Sequence, residues 1–327
     1  MSETLLEVRS LSLTVRTAGG IVPILRSVDL KINQGEIVGL VGESGSGKSM
    51  TARCIIRSLP SGSQVGGTVR LAGEDLLRLS PSRLRELRSK EIGVIFQDPR
   101  SGVDPLFPVE DHLTEGLRVH GGLSRAAARV RAIDLLSRIG IRDGARRLRQ
   151  YPDELSGGLL QRVVIAGVLA GEPDLIVADE PTTALDMTTQ AEIVAIFEGL
   201  RRERRLGMLF ITHDLALAAS LCDRILVMYA GRVLEDQRED GILRTPAHPY
   251  TAALVGARPI VERRTARLTV IPGTLVSAAD APSGCPFLAR CPYAETRCAE
   301  TEPSLRPVGD AMTACVRADE IRADLHA

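Results

Sequence analysis

The chain carries no excess of charge of either sign. Its 41 Lys and Arg balance 41 Asp and Glu across 327 residues, for a net charge of +0. A nucleic-acid partner normally leaves a basic surplus, so this balance speaks against that class of partner. Long apolar runs are missing too: none approaches the ~18 consecutive residues of a membrane span. Any membrane association is therefore expected to go through protein partners. The opening Met1-Ser2-Glu3-Thr4 lacks a basic stretch followed by an apolar one, so no secretion leader is expected. There is no internal repeat. What remains is an ordinary globular composition, 44% apolar and 25% charged. The length suits one large domain, or one domain with an appendix.

Apolar and polar residues alternate from Leu6 to Val15, a half-exposed strand, and strand-like patterning resumes from Ile21 to Ile32. Ile37 to Val41 is a short unbroken apolar run, as in a central parallel strand. Further strands are expected at Gly67 to Leu71 and Ile92 to Phe96. Prolines 99, 105 and 108 then break the chain, and helical spacing dominates, most clearly over Ala126 to Ile139. This stretch, about 99–171, reads as a helical subdomain inserted into an α/β core. Its arginines, among them Arg125, Arg129, Arg131 and Arg138, read as a solvated helix face. From Leu175 strands and helices alternate: Leu175 to Ala178, Thr189 to Arg204, Met208 to Thr212, Leu215 to Leu221, Arg224 to Met228. That rhythm argues for a mostly parallel sheet. From about Arg258 the chain turns rich in Pro, Ala and Cys, with weak periodicity, a C-terminal appendix over 258–327.

Gly42-Glu43-Ser44-Gly45-Ser46-Gly47-Lys48-Ser49 fits the phosphate-loop pattern G-x-x-x-x-G-K-[ST] in full. It follows an apolar strand and precedes a helix, as the pattern requires. Glycines let the backbone curl until its N–H groups converge on phosphate oxygens. The helix start, at Ser49 and Met50, adds its positive end. Lys48 can reach the β and γ phosphates, and the Ser49 hydroxyl can ligate Mg²⁺. Downstream, Leu175 to Ala178 ends in Asp179-Glu180. Strand ends of such sheets face the ligand crevice. Asp179 is placed to hold Mg²⁺, and Glu180 to polarise the water that attacks the γ-phosphate.

Leu155-Ser156-Gly157-Gly158, ahead of the acidic pair, resembles the signature motif of ABC ATPases. Gln97 after its strand resembles the Q-loop glutamine, Ala184-Leu185-Asp186 the D-loop, and His213 the switch histidine. Singly each is weak; in order over residues 42 to 213 they are specific. Asp98-Pro99, His248-Pro249-Tyr250-Thr251 and the tail from Cys285 to Tyr293 resemble the oligopeptide/dipeptide/nickel importer group. The resemblance implies a P-loop NTPase core with an N-terminal antiparallel β part, occupying 1–257. It implies ATP sandwiched between two such subunits. Ser156, Gly157 and Gly158 of one would face the phosphate loop of the other, His213 would stabilise the γ-phosphate, and Gln97 would sense nucleotide and Mg²⁺. It further implies docking of a membrane subunit on Asp98 to His112, where Leu106 and Phe107 look exposed. A second ATPase, two transmembrane permeases and an extracellular solute-binding protein are the expected partners, at the cytoplasmic face of the membrane. Two positions depart: where the family stacks an aromatic on adenine, this chain has Val15, and the signature runs on into Leu159-Leu160-Gln161 where many members have Gln or Met after the second glycine. A soluble ABC ATPase acting on nucleic acid is the competing reading.

Cys54 and Cys222 stand alone and read as small buried apolar residues. Cys285, Cys291, Cys298 and Cys315 crowd the tail, with gaps of five, six and sixteen residues. Four thiolates can hold a [4Fe–4S] cluster or tetrahedral zinc, or simply pack as reduced thiols. None of the gaps is the two-residue gap of most zinc knuckles, and Pro286 and Pro292 follow cysteines as at iron–sulfur ligands. The family resemblance favours iron–sulfur.

Overall fold

A computed structural model describes residues 3–183, 185–203, 205–258 and 270–326. The chain divides into two compact units. One comprises Glu7–Lys31, Ile37–Leu71 and everything from Thr212 onward; the other is Ala72–Ile211 with short stretches ending at Leu6 and spanning Ile32–Glu36.

In the first unit the five residues of Ile37–Val41 are all buried. They run parallel to Arg224–Tyr229, with Val41 opposite Val227. An unbroken apolar strand is what burial on both faces demands. Ala230 and Gly231, both at positive φ, turn the chain into the antiparallel strand Arg232–Arg238. Two left-handed residues are what a tight two-residue hairpin requires. The tail then adds strands: Ala311–Thr313 pairs with Arg232–Arg238, and Arg306–Val308 pairs with Ala311–Thr313. A separate sheet orders Gly20–Asn33, Thr4–Thr17 and Ser63–Leu71 side by side.

The second unit is built on three parallel strands, with Leu175–Asp179 between Ile92–Ile95 and Gly207–Thr212. The helices Val109–Val119, Arg125–Arg138 and Gly157–Ala170 pack on one another. They bury Leu113, Leu117, Leu135, Leu136 and Val163. These helices lie in the stretch expected to be helical. They enter between Ile92–Ile95 and Leu175–Asp179, two strands that are neighbours in the sheet. Gly93 lets the last helix settle close: a Cβ there would lie 2.3 Å from Val168. On the arginine face Arg125 and Arg138 are exposed, while Arg129 and Arg131 are half-buried and ion-paired, Arg129 to Glu110 and Arg131 to Asp134 and Glu172. The α/β class with flanking helices therefore stands as expected. Among the described residues no helix is long and apolar enough to cross a membrane.

Candidate functional site

The phosphate loop leaves the buried strand at Gly42 and enters the helix Lys48–Ile55. A Cβ on Gly42 would lie 2.1 Å from the Met228 carbonyl oxygen, so only glycine fits there. Gly45 and Gly47 adopt φ of 77° and 108°, the left-handed region where glycine costs least. Ser44 and Gly45 form the exposed tip, while Ser46 is buried. The helix has no acidic residue in its own first turn to offset its positive end at Ser49 and Met50. Lys48 is buried and turned inward: Nζ donates to the carbonyl oxygens of Gly42 at 2.8 Å and Glu43 at 3.0 Å. The ammonium thus holds the curl of the loop from inside.

The same unit holds Val15, half-buried on Thr4–Thr17, and His213, exposed just past its strand. Asp214, the next residue, caps the following helix by accepting from the N–H groups of Ala216 and Leu217. That cap fixes where the strand ends and hence where His213 stands.

The other unit holds Gln97, Asp179, Glu180 and the Ser156 turn. Gln97 and Glu180, 83 residues apart in sequence, come together: Gln97 Nε2 donates to Glu180 Oε2 at 3.1 Å. Thr183 Oγ1 donates to the same oxygen at 2.8 Å. The Glu180 N–H donates to the Ile211 carbonyl oxygen at 2.9 Å. Glu180 itself sits at φ 48°, a left-handed conformation that side-chain-bearing residues adopt only when their surroundings enforce it. Here strand, glutamine and threonine together aim the carboxylate. Asp179 is the half-buried last residue of its strand. Sequence reasoning misses Thr183; a hydroxyl three residues past a carboxylate at a turn is the available signal.

Ser156 caps Gly157–Ala170, its Oγ accepting from the Leu159 N–H at 3.4 Å. Gly157 and Gly158 open the helix, again with no acidic residue in the first turn. A Cβ on Gly158 would lie 2.7 Å from Thr189, which Asp186 holds through both its N–H and its hydroxyl. Ala184 of the expected D-loop lies outside the described residues; Leu185 and Asp186 lie within them. Leu106 and Phe107 are exposed.

In the tail, Cys285, Cys291, Cys298 and Cys315 line one cavity with His248, Tyr293 and Arg317. All six cysteines of the chain are free thiols. Burial pushes the Cys285 thiol up to about 12 and Cys291 up to about 11, and raises Cys315 as well. Among the described residues no three His, Cys, Asp or Glu side chains form a group that could hold a metal ion. The buried His248 ring is pushed down to about 3 by desolvation, and its Nδ1 accepts from the Tyr250 N–H at 3.0 Å. Cys54 and Cys222 are buried, as expected of structural thiols.

Residues 25–183 match the ABC transporter family, and residues 234–298 match the oligopeptide/dipeptide transporter C-terminal region. A Brucella abortus protein named for peptide import and ATP binding is 44% identical over 312 residues, covering 95% of this chain and 94% of its own. The chain belongs to the ABC transporter ATP-binding family. The oligopeptide transport ATP-binding protein OppD of Mycobacterium tuberculosis is 44% identical over 318 residues, 96% of this chain and 52% of OppD. Among solved structures, a dimeric ATP-binding cassette in a post-hydrolysis state with ADP and Pi aligns at a TM-score of 0.65 and 29% identity. The alignment covers 72% of this chain and 99% of that one. As an ABC ATPase, the chain binds and hydrolyses ATP with Mg²⁺.

Proposed function

We propose that this ATPase powers an importer of peptides, as the nucleotide-hydrolysing subunit at the cytoplasmic face of the membrane. The observation that carries the reading is its full-length similarity, C-terminal region included, to proteins named for peptide import. Residues 1–257 form the nucleotide-binding part of this reading and 258–327 its appendix.

In the proposed mechanism the loop N–H groups of Gly42 to Ser49 and the start of the following helix receive the phosphates. Lys48 exchanges the carbonyls of Gly42 and Glu43 for phosphate oxygens. By the family resemblance Ser49, Asp179 and Gln97 would hold Mg²⁺, which would neutralise charge on the phosphates. Glu180, aimed by Gln97 and Thr183, accepts a proton from the attacking water. His213 donates to the γ-phosphate. Ser156, Gly157 and Gly158 of a second, facing ATPase offer an uncompensated helix start to the same phosphate. The strand bearing Val15 offers the adenine an aliphatic contact in place of an aromatic one.

Two permeases and an extracellular solute-binding protein complete the assembly, with Leu106 and Phe107 as apolar contacts for a permease. By donor type the tail thiols suit a soft metal group, four free cysteines lining one cavity, but no three of them stand grouped as a metal site in this structure. In this reading Cys285, Cys291, Cys298 and Cys315 would have to draw together to hold a [4Fe–4S] cluster, with zinc as the alternative. Such a group supplies a cross-link for a tail of short elements.

Peptide uptake into vesicles containing the permeases and the binding protein tests the proposal. ATP-dependent uptake with the wild-type chain and none with Lys48→Ala is expected. Uptake that is indifferent to Lys48→Ala, or ATP turnover never stimulated by peptide, overturns it.

A further inference from the structure

Glu43 occupies a phosphate-loop position on whose side chain the motif makes no demand. Yet every polar atom it has is engaged. Its carboxylate receives both arms of Arg290, Nη1 to Oε2 at 2.7 Å and Nη2 to Oε1 at 3.1 Å. Its N–H donates to the Tyr250 hydroxyl at 3.0 Å. Its carbonyl oxygen accepts from Lys48 Nζ at 3.0 Å and from the Ser46 N–H at 3.2 Å.

The partners are themselves fixed. The Arg290 side chain is only 4% exposed. Its Nε donates to the Pro272 carbonyl at 2.9 Å. Its guanidinium carbon lies 5.8 Å from the ring centres of both Tyr229 and Phe287. The Tyr250 ring packs on the same two rings, at 4.7 and 5.2 Å. A planar fork on a carboxylate fixes two atoms at once, which a lysine cannot do. Arg290 also ends a single helical turn, Leu288–Arg290, that runs between Cys285 and Cys291.

We propose that Arg290 and Tyr250 are positioning residues for nucleotide, acting through Glu43 to hold the phosphate loop in its receiving shape. When Lys48 leaves the Gly42 and Glu43 carbonyls for phosphate, the loop loses its internal brace. The Arg290 fork and the Tyr250 hydroxyl keep the Glu43 peptide in place, so less ordering is required on binding. Nucleotide affinity then depends on the correct fold of the cysteine-bearing tail. The inference rests on the ATP-hydrolase reading and holds whatever the importer carries.

The test is calorimetric titration of Mg-ADP into the full-length chain. Wild type, Arg290→Gln, Glu43→Gln, the double variant and Arg290→Lys are compared. Each single Gln variant is expected to weaken binding about tenfold, the double variant by no more than either single, and Arg290→Lys by less than Arg290→Gln. Wild-type affinity in Arg290→Gln, or single effects that multiply in the double variant, overturns the proposal. Should Arg290→Gln fail to fold, Tyr250→Phe, which removes one hydroxyl, carries the test. It is expected to weaken binding severalfold, and unchanged affinity there is equally contrary. A wild-type chain with no affinity for Mg-ADP sinks the ATPase reading itself rather than the clamp.

Discussion

Glu235 shows how much one side chain can do far from any reacting atom. It is fully buried in the strand Arg232–Arg238, and its carboxylate accepts from the N–H groups of Ala247 and His248 at 2.9 and 2.8 Å. Burial pushes its carboxyl up to about 7 despite those donors. The folded chain therefore holds the Glu235 proton more tightly than the unfolded one. Its contribution to stability is fully present below the ordinary carboxylate pKa near 4.5 and is lost as pH rises through about 7. The stability of wild type relative to Glu235→Gln is expected to fall by about 3 kcal/mol across that window. Urea unfolding of both proteins at several pH values checks this, and a difference that stays constant with pH contradicts it. No sequence pattern announces Glu235, because a carboxylate inside a strand ordinarily marks its wet face. The Glu43–Arg290 pair was equally hidden, its partners 247 residues apart with no local signal at either. By contrast, the loop around Lys48 was legible because its chemistry is contiguous in the chain.

At the scale of elements, glycine placement separates two kinds of constraint. Gly42 is needed for space, since a Cβ would strike the Met228 carbonyl oxygen. Gly45 is needed for its left-handed backbone alone, because no atom lies within 4 Å of where its Cβ would be. Gly42→Ala is expected to lose nucleotide binding and to cost about 1–3 kcal/mol of stability through overpacking. Gly45→Ala is expected to cost about 1–2 kcal/mol and to fold around its methyl. Urea midpoints together with Mg-ADP titrations distinguish them, and equal binding by the two variants contradicts the account. The strand Ile37–Val41 and the helix Leu215–Leu221 have the bounds that their patterning predicts. The tail did not read so well. Its strands Arg306–Val308 and Ala311–Thr313 are three residues each, too short to show a period. Their place beside Arg232–Arg238 follows from long-range pairing, which composition does not encode. The start of the appendix, residues 259–269, lies outside the described residues.

For the molecule as a whole, the function class was legible because a nucleotide motor needs several motifs in a fixed order, and order survives in a bare sequence. The partnership of Glu180 with Gln97 was not, since strand pairing brings Gln97 to the carboxylate oxygen that Thr183 reaches across a local turn. That convergence is the centre of the proposed mechanism, in which Glu180 takes the proton of the attacking water while the other proposed site residues hold the phosphates. Phosphate release and Mg-ATP binding, measured side by side for wild type and Glu180→Gln in the assembled transporter, test it most directly. Undiminished Mg-ATP binding with turnover reduced by about 10²–10⁴-fold is the expected result. Turnover at the wild-type rate in Glu180→Gln contradicts it.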